Sequence, residues 1–225
     1  MFTLYGMDLS NNVTKVMFAA NAMGLKYDFK NVNLMAGEQK TPEFQKINPV
    51  GRVPAIVEGD FRLFESNAII KYLGDSNNSP LYPKDSKKRA IIDQWMDFSS
   101  IHVQTALGRV MFNRLMYKML NIEKDERSLA DGLKFLGQFL PIIENQLKTN
   151  KFLTGNEMTL ADINLLAILD PAEIVSVDLS VYPTITRWRN NLKQQSFYTK
   201  VHKSAEESYQ KFQEMMKAGA GAGAK

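Results

Sequence analysis

The stretch NPVGRVPAIVEGDFRLFESNAIIKYL, residues 48–73, has the pattern of a β-hairpin that runs into a helix. Two short apolar runs lie on either side of Glu58-Gly59-Asp60, and alternating residues around such a turn are typical of paired strands. Ser66 is a residue type that favours the N-cap of a helix, and we expect that helix to extend to Leu73. A hairpin followed at once by a helix indicates one edge of a small α/β domain.

Upstream of this stretch, the sequence alternates between strand and helix patterns. We predict strands at 2–5 and 27–32, a helix at 12–23 that Gly24 ends, and a short helix at 42–47. The order βαβ, α, ββα predicts a mixed sheet over residues 1–76.

Downstream, the pattern changes to helix only. Residues 77–86 are rich in Ser, Asn and Pro and form a predicted linker. Residues 87–216 carry apolar side chains at helical spacing and are predicted to form an all-helical second domain. The Ala/Gly tail, residues 217–225, has no large apolar side chain to bury, so we expect it to be disordered.

One helix of the second domain has a distinct start signal. The segment FLTGNEMTLADI, residues 152–163, places Thr159 three residues before Asp162 and just ahead of an apolar run. This spacing predicts a capping box, in which each of the two side chains bonds to the backbone of the other residue.

The composition excludes several kinds of site. The chain has 225 residues, of which 44% are hydrophobic, so it can bury a full core without a metal or disulfide. It has no cysteine, which excludes disulfides and a cysteine nucleophile. It has only two histidines, His102 and His202, so we expect no metal site.

The termini and the charge distribution predict the location and partners. The N-terminus lacks a signal-peptide pattern, and no segment approaches the roughly 20 apolar residues of a membrane span. We therefore expect a cytoplasmic protein that binds no membrane. Residues 187–225 hold eight basic and three acidic side chains. A nucleic-acid patch would interleave aromatic residues with the basic ones, so a solvated helix face is the preferred interpretation, without a nucleic-acid partner.

Three segments, in the same order, resemble motifs of the cytosolic glutathione transferases. NPVGRVPAI is similar to the family's Asn-Pro-x-x-x-Val-Pro-Ala, RLFESNAIIKYL to its Glu-Ser helix start, and FLTGNEMTLADI to its Gly-x-x-x-Thr-x-Ala-Asp signature. The resemblance covers about residues 2–215 and is closest to the serine-type phi class, with the delta and theta classes as neighbours. It implies a thioredoxin-like N-terminal domain, an all-α C-terminal domain and a homodimer.

Ser10 lies between the first strand and the first helix, where two roles are open. As a residue it favours a plain N-cap. The resemblance implies instead that its hydroxyl, together with amides of the first helical turn, holds the glutathione sulfur as thiolate and makes Ser10 catalytic. Tyr5 is the alternative donor, because other classes of the family use a tyrosine near the end of the first strand. A tyrosine packed against the sheet is the preferred interpretation of Tyr5.

The resemblance also implies a set of glutathione-binding residues. Val53 would present its backbone to the cysteinyl part at a cis bond to Pro54, and Glu65 and Ser66 would hold the γ-glutamyl end. The glycyl carboxylate would be held by cations and an amide near the sheet edge, namely Gln39, Lys40 and Arg52. Surface cations and an ordinary helix cap are the alternatives for these positions.

A second pocket, for the electrophile, is expected between the two halves. On the long predicted helix, Arg109, Asn113 and Tyr117 follow at four-residue spacing and Phe112 is adjacent. They would form a more polar wall than phi enzymes have. Solvent exposure or a dimer surface explains the pattern equally well.

The resemblance as a whole implies a glutathione transferase that conjugates glutathione, as co-substrate and without a bound cofactor, to small hydrophobic electrophiles. Reduction of organic hydroperoxides is a second expected activity. The alternative is a non-catalytic glutathione-binding or structural protein with the same fold, because fold alone does not determine function.

Overall fold

The N-terminal part is built on one mixed sheet. The computed structural model describes residues 1–7, 9–120, 122–202, 210 and 214. In the described residues the sheet has the order β2-β1-β3-β4, with the strands β1 (Phe2–Gly6), β2 (Tyr27–Asn31), β3 (Ala55–Glu58) and β4 (Phe61–Phe64). β1 is parallel to β2, and β3 is antiparallel to both β1 and β4. The predicted hairpin and the mixed sheet are therefore present.

Three helices belong to this sheet, namely α1 (Asn11–Ala22), α2 (Pro42–Gln45) and α3 (Ser66–Ser76). Residues 13–20 of α1 are all buried, because the sheet and α3 cover part of this helix and the second half of the chain covers the rest. Gly24 has a φ of 69° after the helix, which is a left-handed conformation that glycine adopts without strain.

The start of α3 differs from the sequence prediction. Glu65, and not Ser66, is the N-cap, and Ser66 is the first residue of the helix. The reason is the backbone of Glu65, whose φ of 68° and ψ of 112° place it outside the helical region. The hydroxyl of Ser66 is thereby released from a capping role.

The second half is helical. One long helix contains α4 (Ser86–Phe98), α5 (Gln104–Met111) and α6 (Tyr117–Met119), which are joined by π-helical turns at Ser99–Val103 and Phe112–Met116. Next along the chain come α7 (Glu126–Thr149), α8 (Leu160–Leu169), α9 (Pro183–Lys193) and α10 (Ser196–Thr199). All ten residues of α8 are buried, so this helix is the centre of the second half.

The predicted capping box is present at the start of α8. The amide of Thr159 donates to Oδ2 of Asp162 at 2.9 Å, and the Thr159 hydroxyl donates to the same oxygen at 3.2 Å. Oδ1 of Asp162 accepts from the amide of Leu153 at 2.9 Å and from Nε1 of Trp188 at 3.1 Å. One buried carboxylate therefore joins the loop before α8, the first turn of α8, and α9.

The two halves share one continuous core. α1 packs on α8, and the amide of Leu160 donates to the carbonyl of Leu81 at 3.0 Å. α3 ends at Ser76 and α4 begins at Ser86. The domain limits 1–76 and 87–216 stay predictions, and most of residues 203–216 and the whole tail 217–225 lie outside the described residues. In the described part of the chain, no helix is long and apolar enough to span a membrane.

Candidate functional site

Most of the predicted site residues lie at one edge of the sheet. β1 ends at Gly6, ahead of Ser10, and β3 begins directly after Pro54. Because β3 is antiparallel to its neighbours, Ala55 pairs with both Tyr5 and Phe64, so these chain ends meet. Ser10, Pro54 and the start of α3 consequently lie at the same edge.

Ser10 begins α1 through its backbone. Its φ of −79° and ψ of 119° are those of an extended N-cap residue, and its carbonyl accepts from the amides of Val13 and Thr14 at 2.9 Å each. Its hydroxyl makes no cap hydrogen bond to the α1 residues that the structure describes. The plain side-chain cap that the residue type favours is therefore not formed, and the hydroxyl is available to a ligand at the helix N-terminus, where amides and the helix dipole favour negative charge.

Tyr5 lies on the other side of the sheet. In β1 the buried positions alternate with half-buried ones, so Tyr5 points away from the face on which Leu4 is buried. Its ring contacts Phe44 edge-on, with centroids 6.4 Å apart, and its hydroxyl accepts from Nζ of Lys30 at 3.5 Å. This placement agrees with the preferred interpretation of Tyr5 as a packed tyrosine.

The loop before β3 is held by a buried asparagine. Nδ2 of Asn48 donates to the carbonyl of Arg52 at 2.6 Å, and its Oδ1 accepts from the amide of Val50 at 3.0 Å. The bond between Val53 and Pro54 is cis. The paired part of β3 begins at Ala55, so the backbone of Val53 lies just beyond the sheet ladder, where an extended ligand can pair with it.

Glu65 and Ser66 stand at the N-terminus of α3. Glu65 is exposed and holds a positive φ, a strained conformation for a residue with a side chain, and such residues cluster at functional sites. Ser66 is buried. An acidic group, an inward hydroxyl and a helix N-terminus together suit a ligand that carries both an ammonium and a carboxylate.

A buried lysine under this helix start was missed by the sequence analysis. Lys15 is 1% exposed, and burial lowers its pKa to about 7, while the charge of Glu65 acts in the opposite direction. Its Nζ donates to Oγ of Ser66 at 3.1 Å and to Oδ1 of Asn67 at 2.9 Å. The sequence signals this buried lysine only as one cation among the apolar residues of the first predicted helix, and in the structure residues 13–20 of that helix are buried.

The hydrogen bonds around Ser66 continue into the second half. Oδ1 of Asn12 accepts from Oγ of Ser66 at 3.4 Å and from Nε2 of Gln104 at 3.0 Å. Nδ2 of Asn67 donates to Oγ of Ser100 at 2.9 Å. The long helix thus contacts the start of α3 through polar side chains, none of which had been predicted.

The three residues predicted for the glycyl carboxylate lie on two adjacent loops. A side chain at Gly51 would meet the carbonyl of Gln39 at 2.9 Å, which shows how closely these loops approach. Lys40 and Arg52 are exposed. Nε2 of Gln39 instead donates to the carbonyl of Leu34 at 3.4 Å, so this amide braces its own loop.

Comparison with known proteins identifies the family. Residues 1–75 match the profile of the glutathione S-transferase N-terminal domain, and residues 101–196 match that of the C-terminal domain. Glutathione S-transferase 1 of Zea mays is 32% identical over 202 residues, which are 88% of this chain and 94% of the maize protein. The chain belongs to the glutathione S-transferase family.

Solved structures of the family have the same architecture. Glutathione S-transferase-I bound with lactoylglutathione is 30% identical, covers 89% of this chain and 97% of its own, and has a TM-score of 0.81. A delta-class glutathione transferase of Nilaparvata lugens is 32% identical, covers 97% of this chain and 100% of its own, and has a TM-score of 0.82. The predicted family, fold class and enzyme class are therefore confirmed.

Two residues of the predicted electrophile wall, Arg109 and Asn113, make contacts within the second half of the chain. Arg109 faces α7, with Nη1 3.8 Å from Oδ2 of Asp131 and its guanidinium 5.8 Å from the ring centroid of Phe135. Asn113 is 1% exposed, and its Nδ2 donates to the carbonyl of Arg109 at 3.0 Å. Its Oδ1 accepts from the amide of Asp125 at 2.8 Å. Asn113 consequently has a structural role in this part of the chain, and its assignment to the electrophile pocket stays a prediction.

A π-helical turn at Phe112–Met116 interrupts the regular spacing of these residues. The prediction assumed a regular α-helix, in which residues four apart share a face. In a π-helical turn each amide bonds to the carbonyl five residues back, so the following side chains are displaced to another face. Tyr117 follows this turn, so it does not share a face with Arg109 and Asn113 as a regular helix would require. Tyr117 is half-buried and Phe112 is 38% exposed, and both stay predicted pocket residues. Among the described residues, no group of His, Asp and Glu could hold a metal ion.

Substituting Asn113 tests whether its role is structural. We expect Asn113→Ala to lower the free energy of unfolding by about 1–3 kcal/mol, because the amide of Asp125 loses its acceptor ahead of α7. The KM for an electrophile should stay unchanged. Thermal unfolding and steady-state kinetics measure the two effects, with the exposed Asn145→Ala as the control. A changed KM at unchanged stability would place Asn113 in the pocket.

Proposed function

We propose that this protein is a glutathione transferase that conjugates the glutathione thiolate to small hydrophobic electrophiles. The observation that carries the proposal is the meeting of three features at one sheet edge. These are the hydroxyl of Ser10, which makes no cap hydrogen bond to the described residues of α1, the cis bond at Pro54, and the helix that starts at Ser66. Glutathione is long and bears charged ends, so it can contact all three together.

The chemistry assigned to this edge is stabilisation of a thiolate. A free thiol has a pKa of about 8.5, and lowering it by two units needs about 2.7 kcal/mol of preferential interaction with the thiolate. One hydroxyl donor and the amides of a helix N-terminus supply energies of this size. Ser10 is then a hydrogen-bond donor, and the nucleophile is the substrate's sulfur.

The other residues of the edge hold the tripeptide. The backbone of Val53 pairs with the cysteinyl part as an added strand would. Ser66 and the N-terminus of α3 bind the γ-glutamyl carboxylate, and Glu65 binds the ammonium. The exposed Lys40 and Arg52 attract the glycyl carboxylate, and Gln39 joins them if its amide turns away from Leu34.

The wider proposal follows the family. The enzyme would act in the cytoplasm as a homodimer, with glutathione as co-substrate and without a prosthetic group. The electrophile would contact Phe112 and Tyr117 beside the cleft, and organic hydroperoxides would be a second class of substrate.

Turnover measured over a panel of electrophiles tests the function. Chloronitrobenzenes and isothiocyanates report conjugation, and cumene hydroperoxide reports reduction. We expect glutathione-dependent turnover of at least one conjugation substrate. Retention on immobilised glutathione with no turnover over the panel would identify the non-catalytic alternative, and failure of both assays would contradict the proposal.

Ser66→Ala should separate binding from thiol activation. The variant loses a hydrogen bond to a charged carboxylate, worth about 1.5–3 kcal/mol, so we expect a KM for glutathione raised by roughly ten-fold or more. The thiol pKa should stay nearly unchanged, because the γ-glutamyl end lies far from the sulfur. Glutathione titrations and steady-state kinetics measure the effect.

Ser76→Ala is the matched control, since Ser76 ends the same helix. Its hydroxyl donates to the carbonyl of Leu73 at 3.5 Å and accepts from Nδ2 of Asn77 at 3.2 Å, so both bonds stay at the C-terminal end of α3. Both variants are first compared with the parent by circular dichroism. If a folded Ser66→Ala variant binds glutathione with the affinity of the parent, the start of α3 has a structural role and does not bind the ligand.

A further inference from the structure

Lys15 is a cation in the interior of a family member, and the transferase chemistry does not account for it. It lies on α1 in the buried run of residues 13–20. Burying an ammonium is costly unless hydrogen bonds or an opposite charge compensate. Both compensations are present, and both come from the start of α3, through Ser66, Asn67 and the nearby charge of Glu65.

We propose that Lys15 is a positioning residue for the γ-glutamyl carboxylate, and that glutathione binding is coupled to uptake of a proton by its Nζ. This inference rests on the proposed function, since it names a residue that acts through Ser66. It extends the site beyond the groups that would touch the ligand.

The hydrogen-bond geometry gives the positioning role. Nζ of Lys15 donates to Oγ of Ser66, so one oxygen lone pair of Ser66 already accepts a hydrogen bond from the protein interior. The hydroxyl proton of Ser66 must then point elsewhere, and its partner in the structure, Oδ1 of Asn12, is 3.4 Å away. That bond is long, so a carboxylate placed at the helix N-terminus would be a better acceptor. Lys15 thus leaves the Ser66 proton to donate to another acceptor and strengthens Ser66 as a donor.

The charges explain the coupling. Burial lowers the pKa of Lys15 to about 7, so near neutral pH a large share of the side chain is uncharged. A carboxylate on the far side of Ser66 favours the ammonium form and raises this pKa. If Nζ of Lys15 is uncharged before the ligand binds, binding is accompanied by transfer of one proton from solvent to Nζ, which forms one N–H bond.

The neighbouring acids are otherwise engaged, apart from Glu65. Among the described residues, Glu65 is the charged group that acts on the pKa of Lys15. On α8, which packs against α1, Asp162 accepts from its capping-box partner and from Trp188. Beyond the end of α8, Asp170 lies 2.9 Å from Nε2 of His202 and accepts from the hydroxyl of Tyr198 at 2.8 Å, near α10.

The sign of the pH dependence follows from the proton balance. A ligand that raises the pKa of a group binds more tightly at low pH, where that group is already charged. The affinity should therefore fall as the pH rises through about 7, the pKa of the free protein. Glutathione itself would mask the effect, because ionisation of its thiol has the opposite sign. S-methylglutathione has no ionisable thiol and isolates the coupling.

The experiment is calorimetric titration of the protein with S-methylglutathione between about pH 6 and pH 8.5, in buffers of different ionisation enthalpy. We expect net proton uptake near neutral pH. We also expect the affinity to fall by roughly ten-fold for each pKa unit that binding adds to Lys15.

Two substitutions of Lys15 assign the effect. Lys15→Met removes the charge, so we expect several-fold weaker binding of S-methylglutathione, no proton uptake and a flat pH profile, with a raised KM and little change in kcat. Lys15→Arg keeps a permanent charge, so we expect it to restore the affinity while the profile stays flat. Lys71→Met is the control, since Lys71 is a cation on α3, the helix that begins at Ser66, and is paired with Asp93 at 2.8 Å.

The results separate this inference from the proposed function. If the parent binds S-methylglutathione with a pH-independent affinity and no proton uptake, the coupling is refuted while glutathione binding stands. If Lys15→Met keeps the parental affinity and pH profile in a folded protein, Lys15 is not the residue responsible. Absence of binding and of turnover at every pH would reject the proposed function and this inference with it.

Discussion

Asp162→Ala is expected to lower the free energy of unfolding by about 3–5 kcal/mol, more than an ordinary helix cap contributes. The carboxylate is fully buried and accepts four hydrogen bonds, from the amide and hydroxyl of Thr159, the amide of Leu153 and the indole of Trp188. Burial raises its pKa to about 6, so at pH 7 most molecules still carry the ionised acceptor. Alanine leaves buried donors without a partner, and each costs free energy.

Denaturant unfolding measures this effect. Trp188 donates directly to Asp162, so its fluorescence reports the local change and circular dichroism reports the helices. Asp162→Asn is the matched control: it keeps one acceptor oxygen but turns an amide donor toward Thr159 or toward Trp188, so its cost should be intermediate. Kinetic constants at low temperature should be close to those of the parent. An alanine variant as stable as the parent would show that the loop before α8 and α9 do not depend on this carboxylate.

Parts of the fold with local signals could be predicted from the sequence. The capping box at Thr159 and Asp162 depends on a three-residue spacing, and the hairpin depends on a turn that contains Gly59, whose φ is 60°. The local structure that these patterns predict is also formed in the folded chain, because the residues that determine it are neighbours in sequence. The resemblance also predicted the site at the sheet edge, because two of its three motifs, residues 48–56 and 62–73, are chain segments that meet there.

Features that depend on tertiary packing were missed or wrong. Nothing in α1 alone shows that Lys15 is buried, since its partners lie more than 50 residues away on α3. The shared face of Arg109, Asn113 and Tyr117 required the helix to stay regular, and a π-helical turn has no clear sequence signature. Ser66 was predicted as a cap because serine caps helices often, whereas the positive φ of Glu65 moves the cap by one residue.

Ser10→Ala is expected to lower kcat/KM for conjugation by roughly 10²-fold, or about 2.7 kcal/mol of transition-state stabilisation. The pKa of the bound thiol should rise by about two units, since the same interaction stabilises the thiolate. The affinity for glutathione should change little, because the tripeptide is held at Val53 and Ser66. Thiolate absorbance against pH and steady-state kinetics with a chloronitrobenzene measure both effects.

The stability of the same variant decides between the two roles that the sequence left open for Ser10. A serine whose side chain caps the helix costs about 1 kcal/mol when replaced by alanine. Here the carbonyl of Ser10 holds the first turn of α1, and the hydroxyl makes no cap bond to the described residues of that helix. The free energy of unfolding of Ser10→Ala should therefore lie within about 0.5 kcal/mol of the parent's, and Ser10→Thr should keep much of the activity.

Tyr5→Phe should be nearly fully active, because the Tyr5 hydroxyl is turned toward Lys30. A fully active Ser10→Ala beside an inactive Tyr5→Phe would transfer thiol activation to the tyrosine.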